Sequence, residues 1–189
     1  MYLGVGDLGG MRSSINNKKL KSYVIWSAML DRCYSEASKR NYPSYEGCTV
    51  CEEWLFYPTF LEWLTDNYKE GFHLDKDLKI LGSKTYSPDS CSFIPAEINS
   101  LTISCKASRG DLPQGVAMLK PSGLYSSRVS EYGKKVNIGC FKCKDDAFKA
   151  YKERKLTHII KVANSSFARG DICEQVFNNL INWEIKNDK

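Results

Sequence analysis

The stretch from Phe72 to Asn99, FHLDKDLKILGSKTYSPDSCSFIPAEIN, constrains the fold more than any other part of the chain. Its first segment, HLDKDLKIL, alternates in the manner of a strand. Gly82-Ser83 supplies one turn and Tyr86-Ser87-Pro88-Asp89 another. SCSFI then alternates again, and Pro95 is placed to open a helix that carries Asn99. The spacing predicts a β-hairpin followed directly by a helix. It sets the carboxylates of Asp75 and Asp77 on the first strand and the amide of Asn99 on the helix.

The flanking segments read as helices that cover this unit. Residues 1–18 are glycine-containing and polar and read as loose. Ser22 offers an N-cap, after which Trp26, Met29, Leu30 and Cys33 recur on one helical face. That helix is expected to end before Asn41-Tyr42-Pro43. SYEGCTVCEEW reads as short and β-like or irregular. Phe56, Phe60, Trp63 and Leu64 form a second apolar stripe, with Pro58 near its start. Both helices are expected to pack on the hairpin.

After a linker at roughly residues 100–113 the pattern changes. GVAML, GLYSSRVSE and KKVNIGCF read as three short strands, parted by Pro121-Ser122-Gly123 and Tyr132-Gly133-Lys134. Asp145-Asp146 favours a helix start, and Phe148, Tyr151, Ile159 and Val162 can face the sheet. Asn164-Ser165-Ser166 reads as a break. A last helix runs from about Ile172, with Val176, Leu180 and Trp183 at helical spacing. The fold class is therefore α+β, with units over residues 19–100 and 114–163 and a helical tail over 164–189.

Charge is unevenly placed. Residues 100–161 hold 13 Lys/Arg against 5 Asp/Glu, whereas the whole chain carries a net charge of +5. A basic block beside a near-neutral body is the electrostatic footprint of a nucleic-acid binder. Hydrophobic content of 42% excludes general disorder. No apolar run approaches the ~18 residues of a membrane span, and the start lacks the pattern of a signal peptide, so a cytoplasmic protein without a membrane partner is expected. In that compartment eight cysteines suggest metal or free thiols rather than disulfides.

Phosphodiester hydrolysis needs an activated water, a cation on the scissile phosphate and charge relief for the leaving oxygen. A hard cation such as Mg²⁺ takes carboxylate and amide oxygens, which Asp75 and Asn99 can supply. The segments YVIWSAMLDRCY (23–34), YEGCTVCEEW (45–54), LDKDLKILGSKTYSPDSCSFIP (74–95) and Asn99 together resemble the phage-encoded HNH (His-Me finger, ββα-metal) endonucleases. The resemblance covers about half the chain. It implies a ββα-metal nuclease unit, a catalytic Mg²⁺ or Mn²⁺, and a phage protein acting inside a bacterial host.

Carried over position by position, the resemblance makes Asp75 the first metal ligand and Asn99 the last. It puts the middle asparagine near Ser90. The next position after Asp75, where the family has its general-base histidine, holds Lys76, a poor base at neutral pH with an ordinary pKa of about 10.4. Three readings follow. His73 shares the strand face of Asp75 and can act as base. Alternatively Lys76 stabilises the phosphate while Asp77 or a metal-bound hydroxide handles the proton. In the third reading the centre only binds DNA.

Cys33, Cys51 and Cys91 lie inside the resembling segments, and Cys48 completes a C-x-x-C pair with Cys51. These four can hold a structural Zn²⁺ or serve as small buried hydrophobes. The second pair, Cys140/Cys143, reads as small buried hydrophobes.

The basic block resembles the AP2-type DNA-binding domain through Gly115-Val116, Tyr125-x-x-Arg128, Gly133-Lys134, Ile138-Gly139-x-Phe141 and Ala147-x-x-Ala150-Tyr151. That resemblance implies a three-stranded antiparallel sheet set in the major groove of double-stranded DNA. By alternation Ser126, Arg128 and Ser130 share one face. Arg128 is the candidate base reader, and Lys120, Lys134 and Lys135 are candidate phosphate contacts. The expected function is a homing-endonuclease-like DNA endonuclease. The alternatives are a DNA-binding protein with an inactive nuclease fold, and an interaction or inhibitor protein that binds no DNA.

Overall fold

The computed structural model describes residues 1–103 and 111–185. Cys105, residues 104–110 of the expected linker, and residues 186–189 of the expected tail lie outside the described residues. The fold is α+β, and the chain divides into two compact units, Met1–Pro95 and Ala96–Lys189. Among the described residues no helix is long and apolar enough to cross a membrane.

The first unit begins with a small hairpin, β1 (Ser14–Ile15) and β2 (Lys18–Lys19), turned by Asn16 and Asn17 in left-handed backbone. The residues before it are not loose. Tyr2, Val5 and Leu8 pack on the core, and the Tyr2 hydroxyl donates to the Asp31 carboxylate at 3.0 Å. Gly6 lies so close to α1 (Lys21–Tyr34) that a Cβ there would meet Leu30 at 2.6 Å.

Helix α1 buries Trp26, Met29, Leu30 and Cys33, the stripe expected from the 3.6-residue period. Its N-cap is Leu20, not Ser22. Ser22 lies in the first turn, and its hydroxyl shares a hydrogen bond of 2.7 Å with the Tyr57 hydroxyl. A tertiary contact thus takes the side chain that would otherwise have capped the helix. At Ser35 the chain turns into α2 (Glu36–Asn41), followed by a 3₁₀ turn over Pro43–Tyr45.

The SYEGCTVCEEW segment forms β3 (Thr49–Val50) and α3 (Glu52–Leu55). In α4 (Tyr57–Asn67) the buried residues are Tyr57, Phe60 and Leu64. Phe56 precedes the helix and is 43% exposed, so it leaves the expected stripe. The core is one cluster in which Trp26, Trp54, Tyr57 and Phe60 meet Phe93, with Phe72 and Leu74 packed against it. The Trp26 indole N–H donates to the Trp54 carbonyl at 2.7 Å, so the buried ring leaves no unpaired donor.

The expected hairpin forms, in altered form. Strand β4 (Phe72–Asp75) pairs antiparallel with β6 (Ser92–Pro95), Asp75 opposite Ser92. The first strand stops at Asp75 instead of running through Leu81. The Asp75 Oδ1 accepts the backbone N–H groups of Asp77 and Leu78 at 3.0 and 2.8 Å, which turns the chain out of the ladder. Within the long loop, β5 (Thr85–Tyr86) pairs in parallel with β3 rather than continuing the hairpin. Pro95 ends β6 and does not open the next helix.

The second unit starts at α5 (Ala96–Leu101), which follows β6 directly in the chain. Strands β7 (Val116–Leu119), β8 (Leu124–Glu131) and β9 (Lys134–Phe141) form a sheet in the order β7-β8-β9, both pairs antiparallel. The β8–β9 loop is two residues long, with Tyr132 and Gly133 at φ 50° and 74°. This is the mirror-image turn whose twist suits a hairpin. Tyr132 is held there edge-on against His158 at 4.9 Å.

Helix α6 (Lys144–Ala168) covers one face of the sheet through Ala147, Phe148 and Tyr151, which pack with Val116, Val129, Val136, Ile138 and Phe141. The helix does not break at Asn164-Ser165-Ser166. Asn164 donates back to the Ile160 carbonyl at 2.8 Å, and Val162, Ala163 and Ser166 are buried. Helix α7 (Glu174–Ile181) buries Val176 and Leu180, and Trp183 packs beyond its end.

Candidate metal centre and nucleic-acid interface

Lys76 immediately follows β4, yet it is only 4% exposed. Its ammonium pairs with the Asp77 carboxylate, donates to the Ser83 carbonyl at 3.1 Å, and lies 5.6 Å from the centre of the Tyr86 ring. Burial alone would lower its pKa, but the hydrogen bond and charge of Asp77 outweigh it and the net shift is upward. The side chain at the position where the resemblance expects a general-base histidine is therefore a charged clamp at neutral pH. It closes the loop from Asp75 to Ser83 and has no lone pair to accept a proton.

His73 is exposed on β4, two residues before Asp75 and so on the same strand face. Asp75 is half-buried, and burial raises its carboxyl pKa, with the Leu78 N–H opposing. Both loop-forming hydrogen bonds go to Oδ1, which leaves Oδ2 as the oxygen able to meet a cation. One carboxylate oxygen with water in the other positions fits a hard cation such as Mg²⁺ or Mn²⁺. Asn99 lies on α5, in the second unit.

Ser90 is 2% exposed, and its hydroxyl is committed to the turn: it accepts the Ser87 N–H at 3.1 Å and donates to the Thr85 carbonyl at 2.6 Å. It therefore works as a loop staple. Asp77, the other candidate for proton work, is the exposed partner of the Lys76 ammonium. A cleft of about 560 Å³ opens beside this turn, lined by Cys51, Glu53, Glu62, Trp63 and Asp89 among others. Neither His73 nor Asp75 lines it.

Cys33, Cys48 and Cys91 are buried in the first core and Cys51 is half-buried against it. Burial pushes the Cys33 and Cys91 thiols up to about 12, with the Cys48 charge a further raising influence on Cys33. Cys51 is also raised by burial. Zinc binds thiolates gathered in a tetrahedron. Among the described residues no group of three or more His, Cys, Asp or Glu is placed to hold a metal ion. Cys33, Cys48 and Cys91 lie within the apolar cluster, whereas Cys140 and Cys143, expected to be buried, are exposed because they sit on the open sheet face and at the start of α6.

The second unit presents a different surface. The sheet face away from α6 carries Ala117, Ser126, Arg128, Ser130, Lys135, Asn137 and Cys140, related by the register Ala117↔Ser126↔Cys140, Arg128↔Asn137 and Ser130↔Lys135. Apart from Ser126, which donates to the Ala117 carbonyl at 3.1 Å, these residues are exposed. Lys120 and Lys134 are exposed at the two turns. From Gln114 to Cys143 the only carboxylate is Glu131. It belongs to the opposite face, where Arg154 of α6 grips it at 2.5 and 2.9 Å. The open face is thus basic and free of acids.

Asn137 escaped the sequence reading, although a signal for it exists. A two-residue turn at Tyr132-Gly133 fixes the register outward from Glu131↔Lys134, and counting back sets Asn137 across from Arg128. The Lys76 clamp had no comparable signal. Comparisons with protein-family models, with curated proteins and with solved structures give no match to this chain.

Proposed function

We propose that the protein is a metal-dependent DNA endonuclease of the HNH type, with double-stranded DNA bound by an AP2-like sheet in the second unit. One observation carries the reading. His73 and Asp75 share one strand face at the end of β4, and the second unit by itself exposes a basic sheet face without carboxylates. Asp75 would hold the Mg²⁺ or Mn²⁺, which when bound supplies positive charge at the scissile phosphate and acidifies a water, and Asn99 is a ligand candidate by the resemblance alone. His73 takes the proton from the attacking water. Lys76 and Ser90 keep the loop in shape, and Lys120, Lys134 and Lys135 contact phosphates.

The Lys76 clamp favours a second reading, a duplex-binding protein whose nuclease fold no longer cuts, because the usual base has become a structural cation. Incubation with supercoiled plasmid and Mg²⁺ or Mn²⁺ separates the two. The endonuclease predicts nicked or linear product that disappears with Asp75→Asn and His73→Ala. Asp75→Asn keeps the Oδ1 acceptor of the turn, so its loss of cutting is not a loss of fold. Intact plasmid with every metal, together with salt-sensitive duplex binding, selects the second reading.

A further inference from the structure

Arg128 and Asn137 face each other across β8 and β9 on the open face, and both are exposed. Directly opposite residues in an antiparallel pair have Cβ atoms about 4.5–5.5 Å apart. Stacked base pairs lie about 3.4 Å apart. Two side chains at that separation, both longer than a serine, therefore reach neighbouring base pairs rather than the same one or distant ones.

On the open face Arg128 is flanked on β8 by the short side chains of Ser126 and Ser130. Asn137 is flanked on β9 by Cys140 on one side and by the exposed Lys135 on the other. Short neighbours leave Arg128 clear, and Lys135 adds a cation beside Asn137. The pairing survives next to a bulge: Ser127 pairs with Gly139 but Arg128 with Asn137, so Ile138 is the extra residue. Ile138 packs on the helix side, and Asn137 stays on the open side.

The chemistry of the two ends differs usefully. A guanidinium matches the two acceptors of guanine, O6 and N7, and a carboxamide matches the acceptor–donor pair of adenine, N7 and N6. Because no carboxylate shares the face, nothing there competes for the guanidinium or repels phosphate.

Resting on the DNA-binding reading above, we infer that Arg128 and Asn137 act together as a base-reading pair specific for a step in which a guanine and an adenine occupy adjacent base pairs. Asn137 is then a specificity-determining residue, and the lysines around it set position without choosing sequence.

The full-length protein is tested by selection from a randomised duplex pool, then by competition among duplexes that differ only at the selected step. The expected consensus contains neighbouring G·C and A·T pairs. Asn137→Ala should relax choice at the A·T position alone, and Arg128→Ala at the G·C position alone, each by roughly 5- to 150-fold in relative affinity. Asn137→Gln, which keeps the carboxamide, should retain adenine preference. A wild-type preference that survives Asn137→Ala, or a selection with no preferred step, overturns the inference while leaving DNA binding intact. If the wild type binds no duplex, or if Lys134→Ala with Lys135→Ala changes neither affinity nor its salt dependence, the underlying reading of the face fails instead.

Discussion

The Lys76 ammonium donates to the Ser83 carbonyl at 3.1 Å, so a residue at the start of the long hairpin loop fastens a residue seven positions later. Because the Asp77 partner is largely exposed, removing the lysine strands no buried charge. The loss is that of the hydrogen bonds. Lys76→Met, which keeps the apolar stem, should cost about 1–3 kcal/mol, read as a lower urea midpoint. The folded pKa of Lys76 is raised, so its contribution is complete below the ordinary lysine pKa and disappears as pH rises through the folded value. The difference between wild type and Lys76→Met should therefore shrink only in strong alkali. Lys76→His should not add nuclease activity, because the new ring would lie in the clamp's buried position.

The cysteines should separate by reactivity. Cys140, Cys143 and Cys173 are exposed and should react with a colorimetric disulfide reagent within the mixing time. Cys33, Cys48 and Cys91 are buried and should react only on unfolding. For Cys33 and Cys91, thiolate is negligible well below pH 12. Mass spectrometry of the labelled peptides identifies the fast sites. Elemental analysis of the same sample should show less than one zinc per chain; a full equivalent would place the core thiols in a metal site after all.

Gly115 should be the least replaceable glycine of the second unit. It holds φ +77°, and an added Cβ would lie 2.1 Å from the Tyr151 ring. Left-handed backbone costs a non-glycine residue about 1–3 kcal/mol, and overpacking costs a further ~1–3 kcal/mol. Gly133, at φ +74°, has open space around it. Gly115→Ala should therefore destabilise by about 2–6 kcal/mol and Gly133→Ala by about 1–3 kcal/mol, compared by chemical denaturation.

The Glu131–Arg154 pair predicts an acid limit for the sheet unit. Hydrogen bonding from Arg154 lowers the Glu131 pKa, partly opposed by burial. A depressed carboxyl contributes stability above its unfolded pKa and loses it as pH falls through the folded value. In melts followed by circular dichroism, wild type should exceed Glu131→Gln near neutrality. That advantage should vanish on the acid side of the usual glutamate range.

The second unit was the more legible from sequence. Alternation and two clear turns set out β7, β8 and β9, and the stripe of Phe148 and Tyr151 marked the covering helix. Asn164-Ser165-Ser166 misled because local polarity argues for a break, whereas burial of Val162 and Ser166 keeps the helix going. In the first unit the helices were visible but the loop was not. The pattern in HLDKDLKIL continues past Asp75, and only the capture of two backbone N–H groups by that carboxylate ends the strand. The β3–β5 pairing joins residues about 36 positions apart, and two-residue strands leave no periodicity to find. The candidate site was legible in its residue types. It was not legible in their availability, since Lys76 and Ser90 look alike in sequence whether they face a substrate or their own backbone.

The extra residue in β9 works as a phase shifter. Residues 137 and 140 differ by three, an odd step that would put them on opposite sides of an uninterrupted strand. With Ile138 inserted, the half of β9 near the turn and the half near α6 each keep the correct side toward the helix. Straightening β9 into regular alternation with Ile138 kept would turn Cys140 inward and deliver the Phe141 ring to solvent, whereas deleting Ile138 would leave both on their present sides. The chain thus holds two separately registered ribbons in one strand, and whatever the open face recognises depends on their staying one count apart.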